Sequence, residues 1–322
     1  MKNCRVLITG GAGFIGSTTA RALLDENEVF IVDNFRRNSL QHQKKNDPRL
    51  DNIRVFEADI LDSEALKRIF AEVRPTHVVH AAAVAGIETV VKKPVSTIEI
   101  NAMGTLNVLK AALEIQDLQR VVTFSTSEIF GPQAYNSNER SLSVIGVVGE
   151  PRWSYAVSKL VGEHMALAFF AQYGMPTTVL RPFNIYGPGQ VGEGALSIFI
   201  QRALQGQDIA IHGHGNQIRA WCYVTDMVDA VIKALSHPGA QGKAFNIGNP
   251  RTAVTVTNLA ATVVRILGSS SKLFHVPKDY ADIELRIPDP DWAAKEIGFE
   301  AKVDLEEGIA RTADFYRGVL GL

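Results

Sequence analysis

Over the first 130 positions, short apolar runs alternate with amphipathic stretches. Arg5 to Thr9, Val29 to Val32, Ile53 to Ala58, His77 to Ala83 and Val121 to Phe124 are short and nearly uniformly apolar, a pattern that predicts buried strands. The segment between the first two places Ile15, Ala20, Leu23 and Leu24 on one side, and Ser63 to Val73 turns Leu66, Ile69 and Phe70 inward. Both spacings predict helices, as does the stretch from Val95 to Gln116. Asn38 to Asn52 is polar and basic, a loop or short helix. Strands apolar on both faces that alternate with helices imply an α/β fold, a doubly wound parallel sheet covered on both sides.

The pattern changes after Arg181-Pro182. Gly187 to Gly194 reads as a loop. Helices come next around Ala195 to Gln205, Asp226 to Leu235, Val256 to Leu267 and Leu305 to Tyr316, with strands near Ile209 to His212, Ala244 to Ile247 and Lys272 to Val276. There is no internal repeat. The chain is expected to return to the first sheet after Arg181. Residues 1–181 and 182–322 then form two units whose boundary is a crossing point rather than a linker.

Composition adds mostly exclusions. The chain has 322 residues, 46% apolar and 21% charged, which suits one large or two fused soluble domains. A net charge of −1 gives no electrostatic case for nucleic acid or an anionic membrane. Apolar runs such as Val78 to Ala85 are far shorter than the ~20 residues of a spanning helix. The early strand leaves no room for a signal peptide. Cys4 and Cys222 are too few for a disulfide framework or a zinc site. A cytoplasmic enzyme without a metal is the expectation.

Candidate chemistry gathers at the predicted strand ends. The first strand breaks at Gly10-Gly11-Ala12-Gly13-Phe14-Ile15-Gly16, with a helix after it. Glycines at 10, 13 and 16 allow a tight turn and close approach to a pyrophosphate, which the helix N-terminus then faces. Asp33-Asn34 ends the second strand about 20 residues beyond the central glycine, where an acidic residue bonds the ribose of NAD. Arg36 and Arg37 come directly after and could accept the 2′-phosphate of NADP, so NAD is favoured with NADP left open. Asp59, the run from His80 and Ser125 to Glu128 end other strands, and in parallel sheets ligands sit at those carboxyl ends. Tyr155 and Lys159 share a helix face at i, i+4. An ammonium beside a phenol would draw it below its ordinary pKa of about 10, toward use as a general base. Alone, such a pair is more often an ordinary half-exposed helix face.

With these residues in place, the sequence resembles the extended short-chain dehydrogenase/reductase family, NAD-dependent enzymes of nucleotide sugars. The matching motifs are TGGAGFIG at Thr9 to Gly16, Asp33-Asn34, Asp59-Ile60, HAAA at His80 to Ala83, Asn101, STSEIFG at Ser125 to Gly131 and YAVSK at Tyr155 to Lys159. RPFNIYGPGQ at Arg181 to Gln190, IRAWCYVTD at Ile218 to Asp226 and FNIG at Phe245 to Gly248 continue the pattern. The resemblance implies a Rossmann-type NAD domain and a smaller C-terminal α/β domain for the nucleotide sugar. Gly10, Gly13, Phe14, Ile15 and Gly16 would hold the pyrophosphate, Asp33 and Asn34 the adenosine ribose, and Asp59 and Ile60 the adenine. Ala81, Ala82, Ala83 and Asn101 would line the cofactor. Tyr155 would be the base at the sugar C4 hydroxyl, Lys159 would bond the nicotinamide ribose, and Ser125 or Ser127 a sugar hydroxyl. Asn184 and Arg219 would bind the diphosphate. The resemblance also implies a homodimer, joined in a four-helix arrangement by the helices near Val95 to Gln116 and Trp153 to Gln172.

The reaction is decided by the step after oxidation at C4. In 4,6-dehydratases an Asp-Glu pair stands where this chain has Ser127-Glu128, so a 4,6-elimination lacks its acid. Ser-Glu resembles the UDP-glucuronate decarboxylases and UDP-apiose/xylose synthases. Arg152-Trp153 and the segment Asp282 to Asp289, with Arg286 near the sugar carboxylate, support that likeness. Decarboxylation of UDP-glucuronate through a 4-keto intermediate is the leading expectation, a UDP-sugar 4-epimerase the alternative, and a 4,6- or 5,6-dehydratase the third. Two departures bear on the substrate: HAAAVAGIETV is closer to epimerases and dehydratases, and Trp221-Cys222 replaces the usual Phe-x. A catalytically silent NAD-binding protein is disfavoured because Tyr155, Lys159 and Ser127 are all present.

Overall fold

A computed structural model describes residues 1–45, 47–277 and 283–322. Five strands precede residue 125: β1 (Arg5–Thr9), β2 (Glu28–Asp33), β3 (Arg54–Glu57), β4 (His77–His80) and β5 (Arg120–Phe124). They join Thr177–Pro182 and Lys243–Ile247 in one seven-stranded sheet. Its spatial order is Lys243–Ile247, Thr177–Pro182, β5, β4, β1, β2, β3, and every pairing is parallel. Val6, Leu7, Ile8, Val78, Val79, Val121 and Val122 are completely buried, so the central strands are covered on both faces, as their uniformly apolar sequence requires. The chain returns to this sheet at Lys243–Ile247, beyond Thr177–Pro182.

The helices differ at their N-termini in a way that matters for the site. In Ser63–Val73 the Asp62 carboxylate accepts from the Ala65 N–H at 2.9 Å, an ordinary side-chain cap. The helix α1 (Phe14–Leu23) begins at Gly13, with no capping side chain and no acidic residue in its first turn. Its leading N–H groups remain available to an external anion.

A four-stranded sheet, in the order Val254–Thr255, Ile218–Arg219, Leu285–Pro288, Gln133–Ser137, draws strands from both halves of the chain. The hydrophobic pattern did not reveal Gln133–Ser137 or Leu285–Pro288, because both are short and carry polar or charged residues. Helices Ile87–Lys92 and Asp291–Ile297 were missed as well, each being only two turns or less. His77 to Ala83 forms a strand only to His80; beyond it the Ala81 N–H still donates to the Thr9 carbonyl at 2.9 Å. The polar Asn38 to Asn52 region contains the short helix Leu40–Lys44 and a 3₁₀ turn at Pro48–Asn52. Of the Asp282 to Asp289 segment, Asp282 lies outside the described residues.

One buried ion pair ties the Ser154–Tyr173 helix to the sheet. Glu163 receives two bonds from Arg181 Nε and one from Nη2 at 2.5 Å, with both side chains nearly inaccessible. Arg181 also stacks over Phe130. Removing one partner of such a pair strands the other charge in the interior. Arg181→Met is therefore expected to destabilise the fold by about 3–5 kcal/mol in equilibrium urea unfolding.

Candidate active site

At the carboxyl end of β1 the chain turns through Gly10 to Gly16. Gly10 has φ +70°, and a Cβ there would lie 2.5 Å from the Ala82 backbone nitrogen, so β1 and the segment after β4 meet only because Gly10 lacks a side chain. Asp33, at the end of β2, is held by two N–H donors: Ala12 at 2.9 Å on one oxygen and Phe35 at 2.8 Å on the other. Burial raises its pKa, and these backbone bonds work against that rise. The Asn34 carboxamide donates to Asp59 at 2.9 Å, and Ile60 is buried against Gly104. The geometry thus brings together the glycine turn, Asp33, Asn34, Asp59, Ile60 and Ala81 to Ala83.

Arg36 and Arg37, the candidate 2′-phosphate ligands, are engaged elsewhere. Arg36 lies 3.7 Å from Asp59, and Arg37 donates to the Ala85 carbonyl at 2.8 Å. The uncapped α1 N-terminus and the carboxylate at Asp33 fit the pyrophosphate and unphosphorylated ribose of NAD.

Asn101 proves to be a clamp. Its carbonyl accepts from Val84 N–H at 2.7 Å, and its amide donates to Val84 O and Ser158 Oγ, both at 3.0 Å. It supports the wall beyond β4 with all these polar groups turned to protein. His80 ties the same wall to its neighbours, through Thr9 Oγ1 at 2.7 Å and Thr105 Oγ1 at 2.9 Å. Burial first, and the Lys159 charge second, push its pKa down to about 3, so it is a neutral structural imidazole.

Tyr155 and Lys159 lie in the first turns of the Ser154–Tyr173 helix. The expected electrostatic relation between them is corrected by their surroundings. Burial raises the Tyr155 phenol above its ordinary range and the Glu128 carboxylate adds to the rise, while a hydrogen bond from Thr126 and the charges of Arg152 and Arg286 oppose it. Burial lowers Lys159 to about 8, and Glu163 one turn away partly restores it. In the protein alone, desolvation outweighs the effect of one nearby ammonium.

Thr126 is the residue sequence reasoning missed. It works to lower the pKa of the Tyr155 phenol, and it accepts from the Glu128 N–H at 3.2 Å, starting the 3₁₀ turn Ser127–Phe130. The signal was available: a β-branched hydroxyl residue between two serines at a strand end, one position from those considered. The Ser125 hydroxyl is buried and has no partner among the described residues, whereas Ser127 Oγ accepts from Arg286 Nη1 at 3.4 Å.

Glu128, expected as a carboxylate beside the reacting centre, sits among the guanidiniums of Arg152, Arg286 and Arg219. Arg152 Nη1 donates to it at 2.6 Å, with Arg152 only 3% exposed. Burial raises the Glu128 pKa, but Arg152, Arg286 and Arg219 together hold it below the usual carboxylate range. Arg286, 2% exposed, also donates to the Gly131 carbonyl at 2.7 Å. The pairing of Ile218–Arg219 with Leu285–Pro288 sets Arg219 directly opposite Arg286. Asn184, in a left-handed conformation, donates to the Ala220 carbonyl at 2.8 Å, which fixes it beside the same strand.

Comparison with known proteins identifies the family. The sequence matches the NAD dependent epimerase/dehydratase family over residues 6–248. The chain belongs to that family. It is therefore an NAD-dependent enzyme of the nucleotide-sugar epimerase, dehydratase and decarboxylase class. Among similar proteins is a UDP-N-acetyl-alpha-D-glucosaminuronate decarboxylase of Bacillus cytotoxicus, 34% identical, with 98% of each chain covered. A UDP-glucuronic acid decarboxylase 1 of Xenopus tropicalis is 32% identical over 97% of this chain and 72% of its own length. Among solved structures, the UDP-glucose 4-epimerase of Thermotoga maritima with UDP-glucose superposes with a TM-score of 0.89. It is 31% identical, covering 98% of this chain and 99% of its own. Among the described residues no helix is long and apolar enough to cross a membrane.

Arg152 is the largest of the charges opposing burial at Glu128. Arg152→Gln is expected to raise the Glu128 pKa and to move upward the limb of the kcat/KM–pH profile that Glu128 governs. A profile whose limbs both stay in place would show that Glu128 does not titrate in the reaction.

Proposed function

We propose that this enzyme decarboxylates a UDP-linked uronate through a transient 4-ketone. The observation that carries the reading is the cluster around Glu128: among the described residues, Arg152, Arg286 and Arg219 surround this carboxylate and hold its pKa below the usual range. Arg219 and Asn184 suit the diphosphate, and Arg286, buried between Ser127 and Gly131, suits a carboxylate at C6.

Each residue then has a task. Gly10, Gly13, Phe14, Ile15 and Gly16 would cradle the pyrophosphate of NAD, Asp33 and Asn34 its ribose, and Asp59 and Ile60 its adenine. NAD, when bound, supplies the acceptor for the C4 hydride and the donor that returns it. Tyr155 takes the C4 hydroxyl proton, assisted by Thr126, which works to lower its pKa, and by the Lys159 charge. Ser125 and Ser127 offer hydroxyls to the sugar. A ketone at C4 makes the C5 carboxylate a β-keto acid. The C5–C6 bond breaks, carbon dioxide leaves, and the electron pair moves onto the C4 oxygen, which Tyr155 can protonate. The entering carboxylate is a like charge beside Glu128 and raises its pKa, so Glu128 can take up a proton and deliver it to C5.

The similar 4-epimerase fold and the HAAAVAGIETV wall favour a second reading, inversion at C4 with the carboxylate retained. Ser127, which cannot serve as an acid for the 6-hydroxyl, weighs against 4,6-elimination.

The same reading assigns residues 1–181 mainly to the cofactor and 182–322 mainly to the nucleotide sugar, in a cytoplasmic enzyme. It also assigns a homodimer through the Pro94–Leu113 and Ser154–Tyr173 helices. Val95, Ile98, Met103 and Leu113 on the first, with Val157 and Val161 on the second, leave apolar side chains exposed on this helix pair.

Incubation with NAD and UDP-glucuronate or its N-acetyl counterpart, read by mass, is expected to show loss of carbon dioxide. Retention of the carboxylate with a new isomer would support the epimerase instead. Glu128→Gln is expected to keep C4 oxidation, seen as NADH absorbance, and the first release of carbon dioxide, while turnover to the C5-protonated product slows by about 10²–10⁴-fold. Val161→Asp is expected to shift the protein from dimer to monomer in sedimentation velocity.

A further inference from the structure

Three loops at neighbouring strand ends are fastened together by side chains that the reaction does not use. β4, β1 and β2 are adjacent in the sheet, and the glycine turn sits at the middle one. After β2, Ser39 N–H donates to the Ala12 carbonyl of the glycine turn at 2.8 Å, and its hydroxyl donates to the Gly189 carbonyl at 2.5 Å. Four residues further along that segment, Glu193 reaches the loop after β4. Its carboxylate accepts from Glu88 N–H at 2.7 Å, from Thr89 N–H at 3.2 Å and from Thr89 Oγ1 at 2.6 Å. Arg37, from the β2 loop, completes the join. Its Nη2 bonds Ala85 O at 2.8 Å and lies 3.6 Å from Glu193 Oε1.

The segment 189–193 therefore runs from the glycine turn, through Ser39, to the loop beyond Ala81 to Ala83, through Glu193. Both attachments flank the residues that fit the dinucleotide. The sequence makes room for this approach. Gly86 has φ +101°, and a Cβ there would meet the Glu193 carboxyl carbon at 2.8 Å and Arg37 Nη2 at 2.9 Å. Gly192, at φ +96°, would meet the Arg37 guanidinium carbon at 3.2 Å. A part-exposed Arg37–Glu193 pair alone would contribute little. Three donors converging on one carboxylate form charge-assisted bonds, which are stronger.

We propose that Glu193 and Arg37 form a clasp across the cofactor crevice that slows release of the dinucleotide, with Glu193 as its positioning residue. The clasp also keeps Arg37 away from a 2′-phosphate. A chemistry that lends a hydride and takes it back benefits from a cofactor that stays in place, although the inference requires only that NAD binds.

The test is the rate at which NADH leaves the protein, tracked by loss of its fluorescence on chasing with excess NAD, without substrate. Glu193→Gln is expected to release NADH about tenfold faster, the loss of roughly one charge-assisted bond. Thr89→Val removes one donor and leaves the Arg37 pair, so a smaller acceleration is expected. If Glu193→Gln does not fold, Thr89→Val alone decides. Release at the parent rate in the folded variants would overturn the clasp, even where the melting temperature falls. That result would leave the uronate reading untouched.

Discussion

The substrate end of this enzyme depends on a carboxylate buried among guanidiniums. Glu128 is removed from water, which by itself would push it toward neutrality, and Arg152 at 2.6 Å reverses that outcome. The fold has to satisfy several demands to make the pair possible. The strand β5 must end at a 3₁₀ turn to present Glu128, and the turn Pro151–Trp153 must set Arg152 just ahead of Tyr155. The small sheet must bring Arg286 and Arg219 alongside. One electrostatic arrangement therefore couples the cofactor sheet, the Tyr155 helix and the second half of the chain.

The same balance between burial and charge governs Tyr155 and Lys159, the pair proposed for oxidation at C4. Tyr155 and Lys159 are both displaced toward their neutral forms by loss of water, the phenol upward and the ammonium down to about 8. The charges that oppose this rise at the phenol, Arg152 and Arg286, belong to the cluster around Glu128, so the two features are electrostatically linked.

Much of this was readable from the sequence, and for identifiable reasons. Buried parallel strands leave uniform apolar runs, so β1, β2, β4 and β5 stood out. The glycine turn and Asp33 were legible because backbone geometry constrains residue type at fixed spacing. The features that stayed hidden depend on contacts between distant positions. Gln133–Ser137 and Leu285–Pro288 are short polar strands whose pairing exists only after the chain folds back. Glu128, Arg152 and Arg286 were each singled out, yet nothing in the sequence joined them into one cluster. The pKa of Tyr155 was misjudged because spacing reports a nearby charge and says nothing of desolvation. Glu193 escaped notice in a glycine-rich loop, where its donors lie about a hundred residues earlier.

The central claim is that this cluster commits the 4-ketone to losing carbon dioxide. The most direct measurement is NMR of the sugar product formed from UDP-linked uronate and NAD in deuterium oxide. Decarboxylation predicts a product without C6 that carries one deuteron at C5, introduced when the enolate is protonated. A product that keeps both the carboxylate and its original C5 proton, inverted only at C4, would contradict the account.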